Sequence, residues 1–314
     1  PTVAPGEENA TQEAATEEAT TEEAATEEAA TEEAAIEEVP TEEASLEPAT
    51  PEARLEEDIL QVLEGVRIFG ATEYQAMSVT PEMASITGIT VTLQDGMNTQ
   101  VAIDELTLAD YVYEHDIPTS ATITITGIHI PVSEAFFGEA TPDFQNMGYQ
   151  EVVSDLTLAY VYTDETHTFT LTDLSLNVRD MGVLALNFAL TGIDLPNVET
   201  ADASLISLAG AEIRYEDASL VPRFFEMMAG EEGMSMDEFL AEGHQEMDTQ
   251  IEQARTEGDE FTARAFEQLK VFIDAPNVLR FTIAPESPVP FADFEQIHGP
   301  NMALKMLNMA VVAE

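Results

Sequence analysis

The sequence contains no cysteine, and only ten of its 314 residues are lysine or arginine. Without cysteine there can be no disulfide framework, no thiolate nucleophile and no cysteine-based zinc site. No run approaches the roughly 18–20 apolar residues that a membrane-spanning helix needs, so no transmembrane segment is predicted. Apolar residues still make up 44% of the chain, which is enough to bury a sizeable core.

The scarcity of lysine and arginine stands against 62 aspartates and glutamates, and the formal net charge is -52. Nucleic acids and anionic membranes are bound through clusters of basic side chains that displace counterions. The charge therefore argues against both kinds of partner and predicts no nucleic-acid binding.

Residues 1–50 form a low-complexity segment built on the repeat Thr-Glu-Glu-Ala-Ala. A period of five gives no apolar stripe on a helix of 3.6 residues per turn, and neighbouring glutamates repel one another. We predict a disordered acidic tail that acts as a spacer. A chain that begins at Pro1 and enters such a tail directly suggests a removed signal peptide, and hence a periplasmic or secreted protein.

A single α+β domain is predicted over residues 51–314, and it begins with a helix. Thr50 suits the N-cap position and Pro51 the first helical position. Residues 66–215 are predicted to be rich in β-strands, residues 218–275 to form a helical insert, and residues 278–314 to form strands and a short helix.

The β-rich region repeats one unusual strand pattern, shown most clearly in residues 121–132. Ile123 and Ile125 alternate with threonines, but the next apolar residues, Ile128 and Ile130, come one position late, after Gly127. One extra residue at a glycine is typical of a β-bulge, which keeps both halves of a strand on the same face. The same slip is predicted at Gly88, Glu105, Asp155, Asp173, Gly192 and Gly210. We therefore predict a strongly curved, bulged antiparallel meander packed on the helical insert.

No pattern of catalytic residues is present. The five histidines, His115, His129, His167, His244 and His298, are scattered and show no metal-ligand spacing. No nucleophile elbow, phosphate-binding glycine loop or zinc-protease signature occurs. We predict a non-enzymatic protein with no catalytic residues, metal or cofactor.

The helical insert contains a group of aromatic and methionine residues with two interpretations. They can be ordinary core that fills a curved sheet, or they can line a site for an apolar ligand, because methionine adapts to variable apolar partners. The candidate lining residues are Phe224, Phe225, Met227, Met228, Met236, Phe239 and Leu240.

Three stretches, 84–93, 122–131 and 205–221, resemble uncharacterised secreted proteins of alphaproteobacteria. More remotely, their repeated strand style resembles that of the AsmA-like and YdgA-like β-rich envelope proteins. The resemblance implies a periplasmic location and a β-groove that holds lipid. The expected function is binding of a lipid or other apolar ligand between sheet and helices. The alternative is a structural or interaction protein of the cell envelope, with an envelope protein as partner and no small-molecule ligand.

Overall fold

A computed structural model of the protein describes residues 50–93, 99–114, 117–197, 203–294, 296 and 300–314. They belong to one compact unit, Glu47–Glu314. The predicted tail lies outside the described residues. The same holds for residues 94–97, Gln-Asp-Gly-Met, whose sequence predicts a hairpin turn. The helices are α1 (Pro51–Val66), α2 (Glu134–Phe137), α3 (Thr141–Asn146), α4 (Leu220–Glu232), α5 (Met236–Glu257), α6 (Glu260–Asp274), α7 (Phe291–Phe294) and α8 (Pro300–Leu307). The strands are β1 (Gly70–Glu73), β2 (Ala76–Val79), β3 (Met83–Leu93), β4 (Gln100–Glu114), β5 (Ile117–Pro131), β6 (Glu151–Thr163), β7 (Thr168–Val178), β8 (Gly182–Thr191), β9 (Ser207–Asp217), β10 (Val278–Ile283), β11 (Val289–Pro290) and β12 (Met309–Ala313).

Helix α1 begins where the sequence predicts. The hydroxyl of Thr50 accepts a hydrogen bond from the backbone N–H of Ala53, and Pro51 occupies the first helical position. Leu55, Ile59 and Leu63 lie on one face and are almost completely buried. They pack against β3 and β4 and form the main core there.

The strands form one open antiparallel sheet in the order β1-β3-β4-β5-β6-β7-β8-β9-β10-β12. Strand β2 also pairs with β3, and β11 also pairs with β9. From β3 to β9 each strand pairs with the next one along the chain, which is the meander that the sequence predicts. The predicted α+β class and antiparallel sheet are confirmed.

Most of the predicted strand slips are present. Gly88 and Gly127 have left-handed φ angles of 63° and 62°. Register shifts occur between Ile125 and Ile128 on β5, between Leu171 and Leu174 on β7, and between Leu208 and Gly210 on β9. In β3 and β4 the extra residues lie at the same level. The two strands therefore stay in one register on both sides of these residues. Each slip returns the apolar side chains to the same face.

Two predicted slips are wrong. Asp155 lies in a stretch of β6 where Val152, Ser154 and Leu156 pair with apolar residues of β5 by simple alternation. Here the extra residue belongs to β5, and its Gly127 N–H donates to the Asp155 carboxylate at 2.8 Å. At Gly192 the strand has already ended at Thr191, so the apolar residues that follow belong to a loop.

The helices contact the sheet near its two ends. Helix α1 packs on β3 and β4, whereas α6 packs on β10 and β12. Helix α5 pairs with α6, and α4 packs on α5. The sequence Ser-Met-Asp-Glu at residues 235–238 is typical of a capping box, and the α5 N-terminus has one. Ser235 and Glu238 exchange side-chain-to-backbone hydrogen bonds there.

Two short helices, α2 and α3, lie between β5 and β6 and were not predicted. They help to form a second core around Val132, Tyr149, Val152 and Met181, which also includes Leu220 from the start of α4. This core lies where β5 ends, β6 begins and β7 turns into β8. The second core therefore covers this end of the central strands.

Candidate functional site

The predicted ligand-lining residues lie on α4 and α5 and are mostly half-buried. The rings of Phe224 and Phe225 are 5.9 Å apart, and those of Phe225 and Phe239 are 6.1 Å apart. Phe224 is 43% exposed. These contacts join the two helices through an aromatic row.

The cavities near these helices do not collect the seven residues around one space. Phe239 and Met234 line a cavity of about 590 Å³ together with Glu232, Glu242 and Glu246. Met227 lines a different cavity of about 380 Å³, which also includes Arg223. Carboxylates in the larger lining leave little continuous apolar surface for an aliphatic chain.

A larger apolar surface lies on one face of the sheet. Residues that pair across antiparallel strands point to the same face, as do alternate residues of one strand. Leu156 pairs with Leu176, Leu176 with Leu184, and Leu184 with Tyr215. Two residues further along each strand, Leu158 pairs with Leu174, Leu174 with Leu186, and Leu186 with Ile213. The central strands thus present two adjacent rows of aliphatic side chains.

The same face continues to both sides of these rows. It includes Ile123 and Ile125 on β5, which pack against the main core, and Phe281 on β10, which pairs with Ile213. Helix α1 covers this face at β3 and β4. Helix α6 reaches this face on the other side. The ring centroids of Phe272 and Tyr215 are 5.9 Å apart there, and those of Phe261 and Phe281 are 6.4 Å apart.

Between the two helices the face is partly open to solvent. Leu176, Leu184 and Ile213 are 37%, 48% and 44% exposed. We call these three side chains the open patch. Leu176 and Leu184 are neighbours in the first row, and Ile213 lies diagonally from Leu184 in the second row. Their neighbours Leu156, Leu158, Leu174 and Leu186 are half-buried. The opening is therefore narrow and its surroundings are aliphatic.

The far end of these strands is aromatic. Tyr160 stacks on Phe169 with ring centroids 5.6 Å apart, and the ring centroids of Phe169 and Phe188 are 6.1 Å apart. Leu171 is buried beside them. The hydroxyl of Tyr162 donates to the Ile193 carbonyl at 3.0 Å and so ties the loop after β8 to this end. The open patch lies between this aromatic group and the second core.

The opposite face of the same strands is polar. Arg214, Glu212 and Glu216 alternate with Ile213 and Tyr215 on β9, and Arg280 pairs with Arg214 across the strands. The few exposed apolar residues of that face include Val161, which alternates with Tyr160 and Tyr162 and is 44% exposed. The two faces therefore differ sharply in polarity.

Several tyrosines have raised pKa values near α1 and α6. Burial raises the pKa of Tyr111, and a hydrogen bond with Tyr113 raises it further. Burial and the hydrogen bond to the Asp58 carboxylate raise the pKa of Tyr113 to about 12. Burial likewise raises the pKa of Tyr160, and that of Tyr215, whose hydroxyl also donates to Asp217. These hydroxyls stay protonated at neutral pH and act as hydrogen-bond donors.

The histidines do not converge on one site. His129 lies between Asp104 and Glu151, at 3.7 and 3.4 Å, and His244 lies 3.2 Å from Asp274. His167 is near the Tyr162 hydroxyl, while His115 and His298 lie outside the described residues. Within the described ranges, no group of three or more histidine, aspartate or glutamate side chains is placed to hold a metal ion.

The sequence pattern does not predict the open patch. Leu176 and Ile213 end two of the predicted bulged runs, whose apolar residues share one face, whereas Leu184 lies outside those runs. Exposure of that face depends on where α1 and α6 dock, which strand periodicity does not encode. No local pattern in the sequence therefore marks these three residues as exposed.

Comparison with known families adds one match. The profile of a family described as "Uncharacterized protein" matches residues 175–314, which is less than half of the chain. The matched segment contains the open patch together with α4, α5 and α6. The comparison with curated proteins finds no match. Among the described residues, no helix has both the length and the apolar character needed to cross a membrane.

Proposed function

We propose that the protein is a non-enzymatic binder of an aliphatic ligand, such as the acyl chain of a lipid, and that the ligand lies on the open patch. The observation behind this proposal is the aliphatic face of β6 to β9, which is exposed at Leu176, Leu184 and Ile213 although apolar faces of sheets are normally covered. A periplasmic or secreted location stays a prediction.

The dimensions of the apolar face of β6 to β9 suit an extended aliphatic chain. Strands are spaced roughly 4.8 Å apart, so the face of β6 to β9 extends about 14 Å across the strands. Burying eight methylenes at about 0.8 kcal/mol each gives roughly 6 kcal/mol. Because association itself costs free energy, this value is an upper limit on what the apolar contact contributes to binding.

The proposal predicts that polar substitutions in the open patch weaken binding. Replacing Leu176 and Leu184 by threonine keeps residues that favour strands but removes apolar surface. We expect the affinity for 1-lauroylglycerol, measured by native mass spectrometry, to fall about tenfold or more, because the ligand loses about 2 kcal/mol of apolar contact.

Val161→Thr is the matched control, since Val161 has a similar exposure on the opposite face of the sheet. This variant should bind like the wild type. If wild type and the Leu176→Thr/Leu184→Thr variant bind equally, or if neither takes up the lipid, the proposal is wrong. The second result would leave the structural or interaction protein as the better interpretation.

A further inference from the structure

The charge of the protein constrains which amphiphile can occupy the open patch. The ten lysines and arginines are outnumbered by 62 acidic residues. Binding a phosphate or carboxylate head group normally requires basic side chains that are available to it. The distribution of the ten cations therefore decides whether an anionic head group can be accommodated.

Seven of the ten cations already contact a carboxylate or an aromatic ring. Arg54 and Arg223 lie over the rings of Tyr113 and Tyr149, each at 5.0 Å. The other five contact carboxylates: Arg67 with Glu64, Arg214 with Glu216, Arg255 with Glu267, Lys270 with Asp248, and Arg280 with Glu212 and Glu314. In the five ion pairs the partner carboxylate offsets the positive charge.

Two cations on β9 and β10, the strands at one side of the open patch, point away from it. Arg214 follows Ile213 on β9, and Arg280 precedes Phe281 on β10. Alternation places both guanidinium groups on the opposite, polar face of the sheet. A head group on the apolar face is separated from them by the sheet itself.

The remaining cations, Arg179, Arg264 and Lys305, lie on three different elements. Arg179 belongs to the turn between β7 and β8, three residues after Leu176. It is followed directly by Asp180, and Asp217 lies opposite Gly182 at the end of β9. This end of the strands therefore contains one arginine and two aspartates.

The narrow opening favours a single chain over a helix of a partner protein. An α-helix with its side chains is about 10–12 Å wide and would need a broad exposed face. Here only three side chains are exposed, two in one row and one in the next, and their neighbours are half-buried. An extended aliphatic chain fits that outline better.

We propose that the open patch selects amphiphiles whose head group has no net negative charge, such as zwitterionic or uncharged lipids, and discriminates against anionic lipids of the same chain length. This inference rests on the proposed function. It specifies the class of ligand by charge as well as by its aliphatic chain.

The test uses two lysolipids with the same lauroyl chain, kept below their micelle concentrations. One is lauroyl lysophosphatidylcholine, which is zwitterionic, and the other is lauroyl lysophosphatidylglycerol, which is anionic. Binding to the full chain is measured by isothermal titration at 20 mM and 500 mM NaCl. We expect the zwitterionic lipid to bind at least about tenfold more tightly at low salt, because screening is weak there. The difference should shrink to about twofold at high salt.

The Leu176→Thr/Leu184→Thr variant should lose affinity for the zwitterionic lipid, and Val161→Thr should not. Equal affinity for the two lipids at low salt, or tighter binding of the anionic one, would overturn the inference while leaving the proposed function intact. Failure of both lipids to bind would overturn the proposed function as well. Binding of a basic amphipathic peptide at this patch without lipid binding would assign the surface to a protein partner.

Discussion

At the scale of single residues, Gly127 shows how the bulged strands depend on backbone geometry. Its φ angle is 62°, and a Cβ atom there would lie 2.1 Å from the Asp104 carboxylate. Gly127→Ala should therefore lower the free energy of unfolding by about 1–2 kcal/mol, mainly from the left-handed conformation. Urea denaturation followed by circular dichroism would measure the change.

Gly65→Ala provides the control for that substitution. Gly65 lies near the end of α1, and a Cβ there would meet nothing within 4 Å. Because alanine favours helix, we expect no loss and a gain of up to about 1 kcal/mol. Equal destabilisation by both substitutions would show that the bulge at Gly127 does not need a glycine.

Tyr113 gives the protein a pH dependence at the alkaline end. Its pKa is raised to about 12 by burial and by the hydrogen bond to Asp58. Below about pH 10 the folded and unfolded chains both keep this proton. Between about pH 10 and 12 the unfolded tyrosine loses its proton while the folded one retains it, so the free energy of unfolding falls as pH rises.

Tyr113→Phe should flatten the fall in stability between pH 10 and 12, as measured by urea denaturation at a series of pH values. The slope should decrease without vanishing, because the pKa values of Tyr111, Tyr160 and Tyr215 are raised as well. At neutral pH the variant should lose about 1 kcal/mol with the hydrogen bond to Asp58. An unchanged alkaline slope would show that Tyr113 does not contribute.

At the scale of elements, α1 covers the apolar face at β3 and β4. Ile59 is completely buried in that contact, whereas Leu60 on the same helix is 36% exposed. Ile59→Ala should cost about 2–5 kcal/mol, since it leaves a cavity between helix and sheet. Leu60→Ala should cost less than about 1 kcal/mol in the same thermal or urea unfolding experiment. Similar costs for the two variants would mean that α1 is not docked as described.

The elements themselves were well predicted from local sequence. The N-cap at Thr50 and the capping box at Ser235 confirm that side-chain hydrogen bonds fix where helices begin. The strand slips at Gly127 and Asp173 were visible because the apolar pattern changes phase there. The slip at Asp155 was wrong because the bulge belongs to the neighbouring strand, and pairing between strands is not encoded in the pattern of one strand.

At the scale of the whole molecule, the candidate site depends on how the elements assemble. Phe224, Met227 and their neighbours on α4 and α5 are candidates for lining an apolar ligand site or for ordinary core, and the ligand-lining role stays a prediction. The structure adds a second candidate, the open patch, which lies between the sheet regions covered by α1 and α6. Docking of distant segments leaves this patch exposed, and therefore no window of sequence could reveal it.

The distribution of charge across the molecule also depends on how the elements assemble. Arg214 and Arg280 lie on the polar face with carboxylate partners, so the apolar face has few cations near it. The net charge of -52 was known from composition, but the placement of the basic residues required the strand pairing. Because that placement leaves few cations near the apolar face, it predicts that the open patch does not favour anionic head groups.

A crystal structure of the full chain with a lauroyl-length lysophosphatidylcholine that carries bromine at the chain end would test directly whether the ligand lies on the open patch. Anomalous scattering then locates the chain end without ambiguity. We expect a bromine peak within about 4.5 Å of Leu176, Leu184 or Ile213, which is the distance of an apolar contact. A peak in the cavity beside Met234 and Phe239 would place the ligand on the helical insert and contradict the assignment to the sheet face.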